Sequence, residues 1–487
     1  MPLFLSIAGA EDNDGLSREN FKKISKNGFG DPANSYAWSM TWFQDRLYVG
    51  TGRDFLCAGH WIRELKGTVI DGPLQDAVEC NENPPDFPEN FASEIWCYTP
   101  DDEEKWKMVY KSPLVTVTVK GKDYTLPRDF GYRGMAVFTG SDGQEVLLVG
   151  TYSLPRMANI LQTKDGINFT ETDPAVYGRP AIFKDVMSFR SLINFKGKLY
   201  MTPTSTSGDG NISEVVRVFE SEDPVNGIWY PVSRNSFGRR DNLTIFELGV
   251  FNNCLYAGTG NAQQGFQIWK TDAKGDAIPY HWNLVVDKGA GRGPRNEGAV
   301  SMCAFKDYLY VGSGVQHGGY DFENEVPFSC AELIRIKSDD TWELVVGDRR
   351  RVKGEVISPI SGFRAGFGNI FNGYFWRMVE YKGWLYLGTY DSSVFLPYFE
   401  EYFSPSQQEI VKYFSEKNGG FDLWKSSDGI IWDRISHNGF NNTFNYGIRT
   451  FAATPAGLFL GTANPFKDKE PETGKPRAGG LEIWQGN

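Results

Sequence analysis

The 487-residue chain carries a net charge of −11 and no basic run, which excludes a nucleic-acid partner that would need a positive surface. No apolar stretch approaches the roughly 18 residues of a membrane helix, so no membrane partner is expected. With 54 glycines, 15% aromatics and four histidines, the composition suits short strands and turns and offers little for a histidine-based metal centre.

The N-terminal MPLFLSIAGA is apolar but short and has no basic flank, so it does not read as a signal peptide, and a cytoplasmic chain is expected. The first strong pattern is LYVGTG from Leu47. Near-copies follow as LLVGTY from Leu147, LYMTPT from Leu199, LYAGTG from Leu255, LYVGSG from Leu309, LYLGTY from Leu385 and LFLGTA from Leu458. Each is preceded by a strand such as SMTWF, Ser39 to Phe43, and followed by an apolar strand, a polar turn and an aromatic, as in EIWCYTPDDEEKW and DLWKSSDGIIW.

Each unit therefore reads as four short strands, and repetition at this scale is the signature of a β-propeller. The expected fold is all-β, one domain spanning 1–487, a seven-bladed β-propeller with four-stranded blades. Blades fall at 36–115, 131–173, 188–237, 244–290, 297–350, 375–437 and 445–487. The last lacks a fourth strand, which residues 20–25 are expected to supply, because FKKISKNGFGDPANSYAWSM parallels WDRISHNGFNNTFNYGIRTF. Closure of this kind leaves no open sheet edge.

Extra sequence follows the second strand of four units, at 52–93, 314–330, 390–420 and 463–480, and lengthens the connections 112–131 and 347–375. By the strand order all of it lies on one face of the disc, where loops can carry function. SPSQQEIVKYFSEK predicts a helix over Ser404 to Lys417, capped by Ser406, with Ile410, Val411, Tyr413 and Phe414 on one side. With the aromatic YDSSVFLPYFEEYF before it, this segment is either a lid over the channel mouth or a satellite core. Cys97, Cys254 and Cys303 read as core residues, while Cys57 and Cys80 form a bridge only in an exported protein.

Aligning the units on LYVGT places Trp38, Arg190, Phe246, Val300, Trp376 and Arg449 nine residues before each leucine, with Arg133 equivalent in the second unit. Glu247 and Arg377 stand one residue later, and Glu297 three earlier. Arginines, glutamates and tryptophans converging on one mouth read as a pocket for an anion, because a guanidinium grips carboxylate or phosphate in a bidentate fork. The competing reading is an Arg/Glu ring that ties blades together around a wet channel. Asn261, Asp391 and Asn464 also present polar groups to this face, as does Tyr390, and His60 and His317 lie in inserted loops. Glu247 and Asp391 are candidate bases, and Tyr132 and Tyr446, which flank arginines, are candidate acids or nucleophiles.

The turn SSDGIIW, Ser426 to Trp432, and the weaker TKDGINF, Thr163 to Phe169, resemble a degenerate Asp-box, the blade-stabilising hairpin of sialidase-like propellers. Sialidases hold a substrate carboxylate with three arginines from different blades beside a tyrosine nucleophile, and Arg133, Arg190 and Arg449 are similar in kind. The chain departs from them in its seven units and its lack of an F-R-I-P sequence, so their activity is not carried over. A remoter likeness is to the cyanobacterial propellers that alkylate resorcinol rings or carboxylates with alkyl chlorides. They keep arginine, tyrosine and a carboxylate at the mouth and accept apolar substrates of the kind that Tyr390 to Phe414 would suit.

The expectation is an enzyme for a small anionic or amphipathic molecule, acting by group transfer or by hydrolysis or elimination. Arg133, Arg190, Arg449 and Arg377 would bind its charge, and Trp38, Trp376 and Tyr390 its body. The alternative is a non-catalytic propeller that binds a protein or glycan on the same face. No cofactor is expected, calcium in the loops or channel is left open, and a monomer is favoured.

Overall fold

The computed structural model describes residues 14–54, 56–58, 91–153, 157–172, 175–176, 183, 186–204, 215–275, 277–319, 321, 324–396, 404–467 and 478–487. They form an all-β architecture dominated by one large, mainly antiparallel sheet.

Within that sheet the described strands pair into seven antiparallel ladders in chain order. The first contains Asn34–Phe43, Arg46–Arg53, Glu94–Tyr98 and Trp106–Lys111. The second contains Gly131–Thr139, Glu145–Tyr152, Ile160–Thr163 and Thr170–Thr172, and the third Ser188–Phe195, Lys198–Thr204, Phe219–Asp223 and Ile228–Pro231. Thr244–Phe251, Cys254–Gly260, Ile268–Thr271 and Asn283–Val286 make the fourth. Gly298–Phe305, Tyr308–Gly314, Leu333–Ile336 and Trp342–Val346 make the fifth. The sixth is Asn372–Tyr381, Trp384–Asp391, Leu423–Ser426 and Asp433–Ser436. In the seventh, Gly447–Thr454, Gly457–Ala463 and Ile483–Gly486 are joined by Phe21–Lys23 from the other end of the chain. Tyr36 pairs with Ala463, so the first ladder also touches the seventh.

The repeated phrase has a physical reason at each letter. Its leucines, Leu47, Leu147, Leu199, Leu255, Leu309, Leu385 and Leu458, are fully buried. Its glycine leaves room for the next ladder: a Cβ on Gly50 would strike Tyr132, and one on Gly312 would strike Phe375. The hydroxyl that follows bridges strands two and three. Thr51, Thr151, Thr259, Ser313, Thr389 and Thr462 accept the backbone N–H of Glu94, Asn159, Gln267, Glu332, Asp422 and Glu482 at 2.8–3.0 Å.

A second repeat lies in the connections. Asn34, Asn242, Asn296, Asn372 and Asn445 each donate at 2.8 Å to a side chain opening the third strand of their own ladder, Glu94, Gln267, Glu332, Asp422 and Glu482. The same amides donate to a carbonyl six or seven residues earlier, closing a turn with Phe29, Phe237, Ala290, Phe367 or Phe440 at positive φ. Three of those phenylalanines stack on the ladder's own tryptophan, Phe29 on Trp96, Phe237 on Trp269 and Phe367 on Trp424, at 4.2–5.1 Å. Backbone held at positive φ costs of order 1–3 kcal/mol, and the stacking and the amide bonds offset it.

The lengthened connections are not plain loops: Leu114–Val119 pairs with Lys122–Pro127, and Arg350–Val352 with Glu355–Ile357. The helix runs Pro405–Asn418, and Gln408 N–H donates to the Ser404 carbonyl, so the helix starts before Ser406, which lies inside it rather than capping it. Tyr413 is 66% exposed and packs in no core; the side chains of Ile410, Val411 and Phe414 lie outside the described residues. Cys97 is buried, whereas Cys254 and Cys303 are only half-buried. Cys57 is disulfide-bonded, and Cys80 lies outside the described residues. No helix among the described residues is long and apolar enough to cross a membrane.

Candidate functional site

Every ladder carries an irregularity between its first and second strands in the same place, and the first and sixth carry a second one, at Asn34/Tyr36 and Asn372/Tyr374. The register slips by one residue between Ala37 and Ser39, Tyr132 and Gly134, Phe189 and Ser191, Ile245 and Glu247, Ala299 and Ser301, Phe375 and Arg377, and Ile448 and Thr450. The residues bulged out of the ladders are Trp38, Arg133, Arg190, Phe246, Val300, Trp376 and Arg449. A bulge of this kind kinks the strand and re-aims one side chain. All seven side chains line a single cavity of about 170 Å³, room for on the order of ten water molecules.

The ring is polarised. Arg449, Arg133 and Arg190 come from ladders seven, two and three, while Phe246, Val300 and Trp376 come from the consecutive ladders four, five and six. The rings lie close over backbone. A Cβ on Gly131 or Gly52 would run into Trp38, one on Gly447 into Trp376, and one on Gly298 or Gly260 into Phe246. Glycine is needed where these plates meet the strands.

The guanidiniums rest on this aromatic frame. Arg190 lies 4.4 Å from the Phe246 ring, Arg133 5.4 Å from Trp38, and Arg449 5.3 Å from Trp376 and 6.0 Å from Trp38. Arg133 and Arg449 are buried, at 7% and 4% exposure, and Arg449 Nη1 has no hydrogen-bond partner among the described residues.

Beneath the ring Arg377 crosses between ladders. Its Nη1 donates to Glu247 Oε2 at 3.0 Å and to the Val300 carbonyl at 2.9 Å, and its Nε to the Arg449 carbonyl at 3.2 Å. Desolvation, then the charges of Arg133, Arg449 and Arg377, push Arg190 well below the ordinary arginine value, with Glu247 opposing. Arg449 is lowered in the same way by burial, Arg377 and Arg133. A guanidinium does not surrender its proton at such a site, so both shifts express burial first and neighbouring positive charge second.

Above the ring sits a second tier of rings. Tyr36, Tyr152, Tyr374, Tyr390, Tyr446 and Phe395 line the cavity. Tyr390 lies 4.7 Å from Tyr446 and 5.2 Å from Trp376, and Phe395 lies 5.2 Å from Tyr446. Burial raises the phenols of Tyr36, Tyr374 and Tyr390 above the ordinary value, which keeps them neutral. The inserted segments close in from above: Leu56 follows strand two of the first ladder, Gly318 that of the fifth and Phe395 that of the sixth. Lys467 of the seventh insertion holds Asp54 of the first through both carboxylate oxygens at 2.7 Å.

Of the residues singled out in the sequence, Arg133, Arg190, Arg377, Arg449, Trp38, Trp376, Tyr390 and Tyr446 are brought together in this wall, with Glu247 against Arg377. The remaining ones are turned into other structure. Tyr132 is buried among Phe43, Tyr48 and Leu147. Asp391 accepts Ser393 N–H and Asn369 Nδ2 at 2.8 Å, and Asn261 accepts Gln264 N–H at 2.8 Å, so both close their own loops. Asn464 donates to Asn445 and to the Ala478 carbonyl. Burial raises Asp391 to about 7. Glu297 accepts the backbone and side-chain N–H groups of Gln316 at 3.0 and 2.6 Å, and burial followed by the adjacent Asp321 raises it to about 8.

His60 and the His317 side chain lie outside the described residues, which contain no group of three or more potential metal ligands. Tyr36, Tyr152 and Tyr374 escaped the sequence reading. A signal existed for Tyr152, since LLVGTY and LYLGTY replace the small residue of LYVGTG by tyrosine.

No protein-family model matches the chain, and no curated protein matches it. Among solved structures it is similar to an ancestral GH74 enzyme, with 10% identity and a TM-score of 0.49 over 96% of this chain and 51% of that one. A puromycin-hydrolyzing peptidase from Mycobacterium tuberculosis gives 8% identity and a TM-score of 0.46 over 94% and 56%. A protein of unknown function from Dyadobacter fermentans gives 11% identity and a TM-score of 0.37 over 77% and 95%. The chain thus spans about half the length of the first two. At these scores no activity is carried over from any of them.

Proposed function

We propose that the seven ladders are the blades of a closed β-propeller, and that its channel mouth binds a small organic anion between Arg133, Arg190 and Arg449. The observation that carries this reading is that Arg133, Arg190 and Arg449, bulged from three ladders, line one cavity, in which Arg449 Nη1 has no hydrogen-bond partner among the described residues. Buried like charges are costly, and a ligand anion held in guanidinium forks is the economical counter-charge. The purely structural ring explains the Arg377–Glu247 pair but leaves the bulged arginines aimed into a cavity. A cavity of about 170 Å³ under inserted loops favours a small molecule over a protein or glycan surface.

Of the candidate acids and bases named from the sequence, Glu247 and Tyr446 belong to this site, and Glu247 moves a proton only by leaving Arg377, so binding is the firmer part of the reading. The Cys57 disulfide supports an oxidising compartment over the cytoplasmic expectation. The test is thermal unfolding in rising acetate or inorganic phosphate, for the unaltered chain and Arg449→Gln. A saturable rise in Tm that the variant loses supports the site, because a ligand of the folded state stabilises by RT ln(1 + [L]/Kd). An equal rise in both would be a general salt effect and would sink the proposal.

A further inference from the structure

Resting on that anion-binding reading, we infer that the ligand is a small monocarboxylic acid, held in the guanidinium fork of Arg449 and enclosed there by the aromatic side chains of ladders six, seven and one. Arg449 differs from the other two bulged arginines in its setting. Arg133 and Arg190 each lie on one ring, Trp38 and Phe246, and each has further interactions. Arg449 lies on two, Trp376 of the sixth ladder at 5.3 Å and Trp38 of the first at 6.0 Å. These two ladders are the ones that pair with the seventh, Tyr390 with Gly447 and Tyr36 with Ala463. Arg449 is 4% exposed and lines the cavity, and its Nη1 has no hydrogen-bond partner among the described residues.

The head follows from counting charges and acceptors. A carboxylate brings two oxygens and one charge, which a single planar guanidinium fork satisfies. A phosphate ester brings roughly two charges and three acceptor oxygens. The groups beside Arg449 do not supply what those need: Trp38 and Trp376 offer ring faces, and Tyr36 and Tyr390 are phenols kept neutral by burial, each with a single O–H to give. Arg377 is engaged with Glu247 and two carbonyls. A dianion here would bury oxygens without donors, and a neutral amide would leave the charge of Arg449 unanswered.

The rest of the acid meets mostly ring carbon. Tyr446 lies 5.9 Å from Trp376 and nearly parallel to it at 22°, Tyr36 lies 5.8 Å from Tyr446, and Tyr390 lies 4.7 Å from Tyr446. The cluster that encloses the guanidinium therefore also encloses the hydrocarbon part, and neither depends on Phe246 or Val300 across the cavity. A volume of about 170 Å³ limits the acid to on the order of ten non-hydrogen atoms.

The experiment is isothermal titration calorimetry of the purified chain with acetate, butyrate, acetamide, inorganic phosphate and sulfate at constant ionic strength, repeated on Arg449→Lys. Acetate and butyrate should bind at one site per chain, about tenfold or more tighter than phosphate or sulfate, with butyrate the tighter because it covers more ring surface. Acetamide should not bind. Arg449→Lys keeps the charge but loses the fork, so butyrate should weaken about tenfold or more and the preference for carboxylate over phosphate should disappear. Phosphate or sulfate binding as tightly as acetate overturns the inference while the anion site stands, and so does acetamide binding as tightly as acetate. Butyrate affinity unchanged in Arg449→Lys overturns the assignment of the head to Arg449. If no anion binds at all, this inference and the reading beneath it both fall. Should Arg449→Lys not fold, the comparison of acetate with phosphate and sulfate on the unaltered chain decides alone.

Discussion

The Arg377 guanidinium of the sixth ladder donates to the Glu247 carboxylate of the fourth at 3.0 Å, while the same side chain holds the carbonyls of Val300 and Arg449. One residue therefore connects four consecutive ladders beneath the cavity. Arg377→Ala should cost about 2–3 kcal/mol, since it leaves a half-buried carboxylate and two carbonyls without their charged donor. Glu247→Gln should cost about 1 kcal/mol. Chemical denaturation of the singles and the double measures the coupling, and additive effects would mean the pair contributes nothing as a pair.

Glu297 and Asp391, held near 8 and 7, make stability depend on pH in a definite direction. In the unfolded chain both ionise near pH 4. Between that pH and their folded values the native state binds more protons than the unfolded one, so stability falls as pH rises, by up to about 1.4 kcal/mol per unit for each group. Unfolding free energy should therefore drop from pH 5 to pH 7 on both groups and from pH 7 to pH 8 mainly on Glu297. Glu297→Gln should remove the second part, and denaturant titrations at the three pH values report it.

Gly131 touches the Trp38 ring so closely that a Cβ there has no space. Gly131→Ala should cost about 1–3 kcal/mol by overpacking and tilt Trp38 into the cavity. The second effect is separable: anion affinity should fall at temperatures where the variant is still fully folded, with a shift in tryptophan emission.

Asn445 Nδ2 donates to both Glu482 and the Gly439 carbonyl. Asn445→Ala should destabilise by about 1–3 kcal/mol because it takes a donor from the Gly439 carbonyl and leaves Glu482 Oε2 with Trp484 Nε1 alone. Since Glu482 opens the strand that pairs with Phe21–Lys23 through its neighbour Ile483–Gly486, the earliest amide exchange in this variant should appear in residues 21–23. Uniform exchange over the chain would count against a local latch.

Much of the ring was legible in the sequence. Counting nine back from the leucine of LYVGT lands on the bulged residue of six ladders, because strand lengths there vary little; in the second, where the turn is longer, the match of RGMAVF to WSMTWF finds Arg133 instead. The bulge itself left no trace, since Trp, Arg, Phe and Val occupy it alike and nothing in their propensities marks a slipped register. Asp391, Asn261 and Asn464 were read as facing the site because they follow strand two, yet short polar side chains at a strand end bond their own loop first. The connector turn was seen in two copies and missed in RNSFGRRDN, where Ser236 replaces a glycine at positive φ, in KGAGRGPRN, where Ala290 replaces the phenylalanine, and in RAGFGNIFN, which keeps Gly-Phe-Gly in altered flanks.

The bulged position has a consequence for how such a protein diversifies. A residue outside the ladder register contributes its side chain to the cavity without contributing to strand pairing, so exchanging it leaves the scaffold's hydrogen bonding intact. Trp38, Arg133, Arg190, Phe246, Val300, Trp376 and Arg449 then behave as seven independent letters written around one axis, and a different word would make a different pocket on the same frame.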